Sequence, residues 1–188
     1  MPPTVKSTCA GLCVARLQAP CLDAFRPGQW TTYCHSKDYA IVTWKLTGPD
    51  NLKATVHGVL TATAMEDDRN FVLQSSSAVT ADRQRFRYYF FTPVNQWVDL
   101  VTGTVAYSGN TAEARFFSGS TGVCPASCPG ALLGSLLCAC VPIDDMGKNL
   151  LHLQDLKDLL QAAGVTVSNE AVLAAGCADV PNSQNMSR

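Results

Sequence analysis

Residues 39 to 118 contain no cysteine, although Cys34 and Cys124 bound them and all nine cysteines of the chain lie in the flanks. Inside this span, short runs of alternating apolar and polar residues are separated by turn residues. That pattern restricts the chain to an antiparallel sheet with one face buried and the other wet.

The clearest run is 39–47, where Ala40, Val42, Trp44 and Leu46 share one side and Thr43, Lys45 and Thr47 the other. Gly48-Pro49-Asp50-Asn51 follows as a strong turn signal. Residues 53–64 alternate again, with Val56, Leu60 and Ala62 opposed to Thr55, His57, Thr61 and Thr63, and read as a strand. Phe71 and Leu73 begin another strand, which fades into Ser75-Ser76-Ser77, and Ala81-Asp82-Arg83 reads as a turn. The stretch 85–91 is rich in strand-favouring aromatics, and its C-terminal end is apolar on both faces. Residues 96–107 form the next strand, with Gly103 as a bulge or bend. Ser108-Gly109-Asn110 turns the chain back into 112–118. With Gln29 to His35 added after the Pro27-Gly28 turn, about seven short strands follow at regular spacing, which predicts an antiparallel barrel or sandwich.

After Pro142 the period changes. Leu150, Leu153, Leu156, Leu160 and Ala163 recur at three and four, so 148–163 is an amphipathic helix packed outside the sheet, ended by Gly164. Ser168 is placed to cap a second helix through Ala175. The chain thus divides into a cysteine-rich arm (1–28), an antiparallel β domain (29–118), a cysteine-rich loop (119–143) and C-terminal helices with a tail (144–188). These form one compact domain, as 188 residues allow.

Cys9, Cys13, Cys21 and Cys34 precede the sheet; Cys124, Cys128, Cys138 and Cys140 follow it, and Cys177 stands alone. This density favours disulfides in an oxidising compartment, either secreted or an organelle lumen. Zinc is disfavoured because the close pairs are spaced C-x3-C with no histidine at ligand distance. No secretory signal is evident in residues 1–18. The formal net charge is −1 with no basic or acidic block, which speaks against a nucleic-acid partner. No run is long enough to span a membrane. The apolar stretch 131–143 is the nearest, and reads either as a buried segment or as a contact surface for a protein assembly.

No catalytic, metal or cofactor signature is present. His35, His57 and His152 lack partners at identifiable spacing, and the Asp67-Asp68 and Asp144-Asp145 pairs read as solvated loop residues. Asn185-Met186-Ser187 fits a glycosylation acceptor but sits at the very end of the chain.

Gly28-Gln29-Trp30, a G-x-W triplet opening the first strand, resembles the lipocalin family. That resemblance implies a barrel closed at one end by Trp30, with Arg115 of the last predicted strand packed across it. Residues 88–107, with Asn95, Trp97, Asp99, Gly103 and Val105, are similar to the violaxanthin de-epoxidase group, whose members also carry a cysteine-rich region ahead of a lipocalin barrel. On this resemblance the expected function is non-enzymatic binding of a small apolar ligand such as a pigment, lipid or terpenoid. Trp30, Trp44, Tyr88, Phe90 and Trp97 supply the aromatic lining. The alternative is a disulfide-stabilised structural or interaction subunit that docks in a larger assembly through 131–143. An enzyme of the de-epoxidase kind would need a buried acid, and Asp99 is the only obvious strand carboxylate.

Overall fold

The computed structural model describes residues 17–22, 39–62, 71–91, 97–120, 124, 126, 128–137 and 148–175. A short helix, α1 (residues 17–22), precedes the sheet. Then follow β1 (Tyr39–Thr47), α2 (Leu52–Ala62), β2 (Phe71–Thr80), β3 (Arg83–Phe91), β4 (Val98–Ser108) and β5 (Thr111–Ser120). The chain continues through α3 (Ala131–Leu137), α4 (Lys148–Ala162) and β6 (Thr166–Ala175). All strand pairings are antiparallel, in the order β2-β3-β4-β5-β1-β6.

The fold is mainly β with a C-terminal amphipathic helix, as the sequence predicts, but the sheet is not closed into a barrel, and the described strands form one sheet rather than a sandwich. β2 and β6 are its two edges and do not pair with each other. The reason lies in the run 53–64, expected as a strand, where 52–62 is instead helix α2. Asn51 occupies the capping position, and its carbonyl accepts the Thr55 amide at 2.9 Å. Leu52, Val56 and Leu60, spaced by four, are then buried on one helical face. α2 and α4 together cover one side of the sheet, so its apolar face is buried without closure.

The core on that side combines Ala40, Val42, Trp44 and Leu46 of β1 with Phe86 and Tyr88 of β3, Val101 and Val105 of β4, and Ala114 and Phe116 of β5. Leu153, Leu156 and Leu160 of α4 press against them. The sequence stripe therefore holds except at its last member, since Ala163 is exposed. α4 ends in a Schellman arrangement: Gly164 adopts a φ of 83°, its amide donates to Gln161 O at 2.9 Å, and the Val165 amide donates to Leu160 O at 3.0 Å. Val165 and Leu160 are both buried in the core, the contact that accompanies this motif.

Beyond Gly164 the chain is the strand β6, not a second helix. Its residues pair with β1 from Thr166↔Thr47 to Ala175↔Tyr39, with a register shift between Thr43 and Lys45. The β1 edge offers unpaired backbone groups, and that demand overrides the weak helical preference of the alanines.

Gly103 is not a bulge. It keeps register with Phe86 on one side and Phe116 on the other. A Cβ there would lie 2.1 Å from the Phe116 ring, so the glycine makes room for an aromatic side chain lying across it. Gly103→Ala is therefore expected to cost about 1–3 kcal/mol in urea denaturation. The loss should be less than additive with Phe116→Leu, which vacates the same space.

On the opposite side of the sheet, Tyr89, Phe91, Val98 and Leu100 form a smaller core with Ala19 and Leu22 of α1 and Ala126. Gln18 fastens the two covering segments, donating from Nε2 to Ala126 O and Cys128 O, both at 2.9 Å. The C-terminal end of β3 is thus covered on both faces, as its aromatic run predicts. No disulfide forms among the described cysteines Cys21, Cys124 and Cys128, contrary to the expectation for those three. Cys21 and Cys128 are exposed on separate segments, and the Cys124 sulfur is packed against Gly134, where a Cβ would approach it to 2.5 Å. Cys9, Cys13, Cys34, Cys138, Cys140 and Cys177 lie outside the described residues, as do Gly28, Trp30 and the strand expected over 29–35.

Burial also links the fold's stability to alkaline pH. It raises the phenols of Tyr88 and Tyr107, the latter up to about 12. An unfolded tyrosine ionises near pH 10. Stability from these residues is therefore complete below pH 10 and is lost as pH climbs from 10 through 12, because only the unfolded chain sheds the proton early. Thermal melts at pH 9 and pH 11.5 are expected to differ in that direction, with Tyr107→Phe reducing the difference.

Candidate functional site

Period-two alternation assigns each strand residue to one face or the other. Among the described residues, the face away from α2 and α4 is covered only at its α1 end. The rest is open, and two cross-strand rows run over it. In the first, Ser77, Arg85, Thr104, Arg115 and Thr43 are successive register partners. In the second, the partners are Ser75, Arg87, Thr102, Phe117 and Ile41. The rows, Thr43 apart, line a shallow trough of about 560 Å³.

The trough is positively charged by construction. Arg83, Arg85 and Arg87 recur at every second position of β3, so all three lie on the open face while Phe86 and Tyr88 enter the core. Arg115 faces Arg85 from two strands away, about 10 Å between backbones, with Thr104 between them. Arg85 and Arg115 are exposed, and neither forms an ion pair among the described residues. Among the described strands, Glu113 is the one acid on this face, and it is the register partner of Lys45. Phe117 supplies an aromatic surface at one side. Its ring lies over Gly119 and stacks on Tyr39 at 6.0 Å between centroids.

A second polar group lies within the core. Asp99 and His152, 4% and 5% exposed, meet through Oδ2 and Nε2 at 3.0 Å. The Phe90 ring covers His152 at 3.6 Å between centroids. Beside them Ser118 Oγ donates to Asn149 Oδ1 at 2.7 Å, and Asn149 Nδ2 donates to Ser120 Oγ at 3.4 Å. These contacts bolt α4 to β4 and β5. The Ser118 hydroxyl is directed to Asn149 rather than to the imidazole, so this group is not arranged as a nucleophile–base pair.

The residues expected to line an apolar pocket separate. Trp44 is fully buried, 5.2 Å from Phe116, and its Nε1 donates to Glu170 Oε1 at 3.3 Å. Lys157 of α4 pairs with the other Glu170 oxygen at 2.5 Å. Tyr88 is equally buried and donates to Leu60 O at 2.7 Å. Phe90 packs on His152, and Trp97 is half-buried just before β4. Arg115 lies on the open face; Trp30, its expected partner, is outside the described residues. The described part of 131–143 is α3, with Leu133 and Leu137 at 63% and 79% exposure.

His57 sits on α2 against Phe86, 6.0 Å between centroids. His35, both adjacent carboxylate pairs and the 185–187 acceptor fall outside the described residues. Among the described residues, no cluster of His, Cys, Asp and Glu is placed to hold a metal, and no helix is long and apolar enough to cross a membrane.

Sequence reasoning did not find the arginine rows. The available signal was R-x-R-x-R over 83–87, whose period of two is that of a strand. No protein-family model matches the chain, and no curated protein matches it closely.

Proposed function

We propose that the protein is a non-enzymatic recognition domain that holds an anionic ligand on the open face of its sheet. The observation that carries this reading is charge segregation. A chain of net charge −1 gathers Arg83, Arg85, Arg87 and Arg115 on one side of a sheet, where Glu113 is the one acid among the described strands. Guanidinium groups exposed beside serine and threonine hydroxyls suit the planar, multi-acceptor geometry of phosphate, sulfate or carboxylate. The apolar-guest reading would require space among Trp44, Tyr88 and their neighbours, where helices α2 and α4 already pack.

The test is calorimetric titration of the whole chain with tripolyphosphate at low and high salt. Binding that weakens with salt is expected. The double variant Arg85→Glu/Arg115→Glu should lose at least about tenfold in affinity, since charge-assisted hydrogen bonds are worth about 1.5–3 kcal/mol each. Its folding stability should stay within about 0.5 kcal/mol, because both side chains are exposed. Unchanged affinity in that variant would sink the reading.

A second reading, docking in an assembly through 131–143, is favoured by the exposed Leu133 and Leu137 of α3. Sedimentation of the chain and of Leu133→Ser/Leu137→Ser, alone and with co-purified partners, separates it from the first.

A further inference from the structure

We infer that the ligand of this trough is a nucleotide, taken either free or as part of a single strand. The inference rests on the anion-binding reading above and adds the ring. Arg85, Thr104 and Arg115 form a row of donor, hydroxyl and donor, a fork on each side of one hydroxyl, which matches a phosphate group.

The neighbouring row places Phe117 next along β5 from that clamp, two residues and thus about 6.7 Å away. Phe117 is half-buried, so the ring is held while part of its surface still lines the trough. Its stacking on Tyr39 and its position over Gly119 fix its orientation. A phosphate at Arg85–Arg115 therefore lies within a nucleoside's reach of an aromatic platform. Nucleobases stack on such platforms whatever their identity. Arg87 stands opposite in the same row, and a guanidinium plane also packs on rings.

The trough volume falls within the range of small-molecule sites. Plain inorganic anions use the arginines and hydroxyls but leave the Phe117 ring idle, and apolar guests use the ring but leave the arginines idle. A nucleotide uses both. The net charge of −1, which speaks against nucleic acid in the sequence, averages over both faces of the sheet and hides this one.

The experiment compares inorganic phosphate, ribose 5-phosphate, adenosine monophosphate and a ten-residue oligoadenylate by calorimetry on the full chain. Adenosine monophosphate is expected to bind about tenfold more tightly than ribose 5-phosphate, the increment a stacked base supplies. Phe117→Leu, which keeps an apolar side chain over Gly119, should erase that preference.

Equal affinity for adenosine monophosphate and ribose 5-phosphate overturns the nucleotide inference and leaves the anion reading intact. So does a preference that survives Phe117→Leu. Failure of phosphate and ribose 5-phosphate alike to bind overturns both. Oligoadenylate binding that exceeds the mononucleotide and falls steeply with salt identifies the single strand as the source. Equal binding identifies the free nucleotide.

Discussion

Asp99→Ala is expected to lower the unfolding free energy by about 3–5 kcal/mol, the cost of leaving one member of a buried polar pair without its partner. His152 is 5% exposed and lies under the Phe90 ring, so water has little access to replace the lost carboxylate. Two further hydrogen bonds, through Ser118, Asn149 and Ser120, hold the same turn of α4 to β5, so the helix should loosen rather than detach. The double variant Asp99→Leu/His152→Leu should recover most of the loss, because replacing both partners with apolar groups removes the stranded charge or dipole. Urea denaturation of the two single variants and the double gives the coupling directly. A single-variant loss under about 1 kcal/mol would mean that the pair is solvated and not a bolt.

The second large effect is expected at Trp44. Trp44→Ala should cost about 3–5 kcal/mol, the usual range for emptying a buried aromatic site. In a chain of this size that corresponds to a drop in Tm on the order of 10 °C. The ring is enclosed by Phe116 and the core from α2 and α4, and its indole N–H fastens Glu170 of β6 to β1. Lys157 retains its own contact with Glu170, so β6 should stay paired. A tryptophan that merely lined an open pocket would be removed at little cost in stability. Differential scanning calorimetry of Trp44→Ala therefore decides between the two roles.

How much was legible in the chain depends on the range over which each feature is encoded. The helix α4 is written locally, in leucines at three and four and a glycine where a left-handed residue is required, and its expected bounds of 148–163 match Lys148–Ala162. β1 and the β4–β5 hairpin are equally local, and Gly109 takes the positive φ its turn needs. α2 was misread because Thr55, Thr61 and Thr63 are β-branched and alternate with Val56, Leu60 and Ala62. The competing signal was Asn51 as cap, followed by Leu52, Val56 and Leu60.

β6 was misread for the opposite reason, since its alanines favour a helix until the free edge of β1 is considered. The Asp99–His152 pair joins residues 53 apart, and nothing in either neighbourhood announces the other. The same is true of Arg85 and Arg115, whose relation exists only once the register of β3, β4 and β5 is known. Nonlocal geometry of that kind is absent from periodicity.

Alternation along β3 and β5 has an evolutionary corollary. Phe86 and Tyr88 belong to the core while Arg85 and Arg87, one step away, do not; Phe116 and Arg115 stand in the same relation. Point substitutions on the arginine side can therefore accumulate without taxing the stability of the scaffold. Insertions and deletions have no such freedom. One residue gained or lost within either strand would exchange the two faces beyond it, sending guanidinium groups inward and aromatic rings into water. Descendants of this chain should accordingly differ on the open face by substitution alone, and vary in length only at the connections between strands.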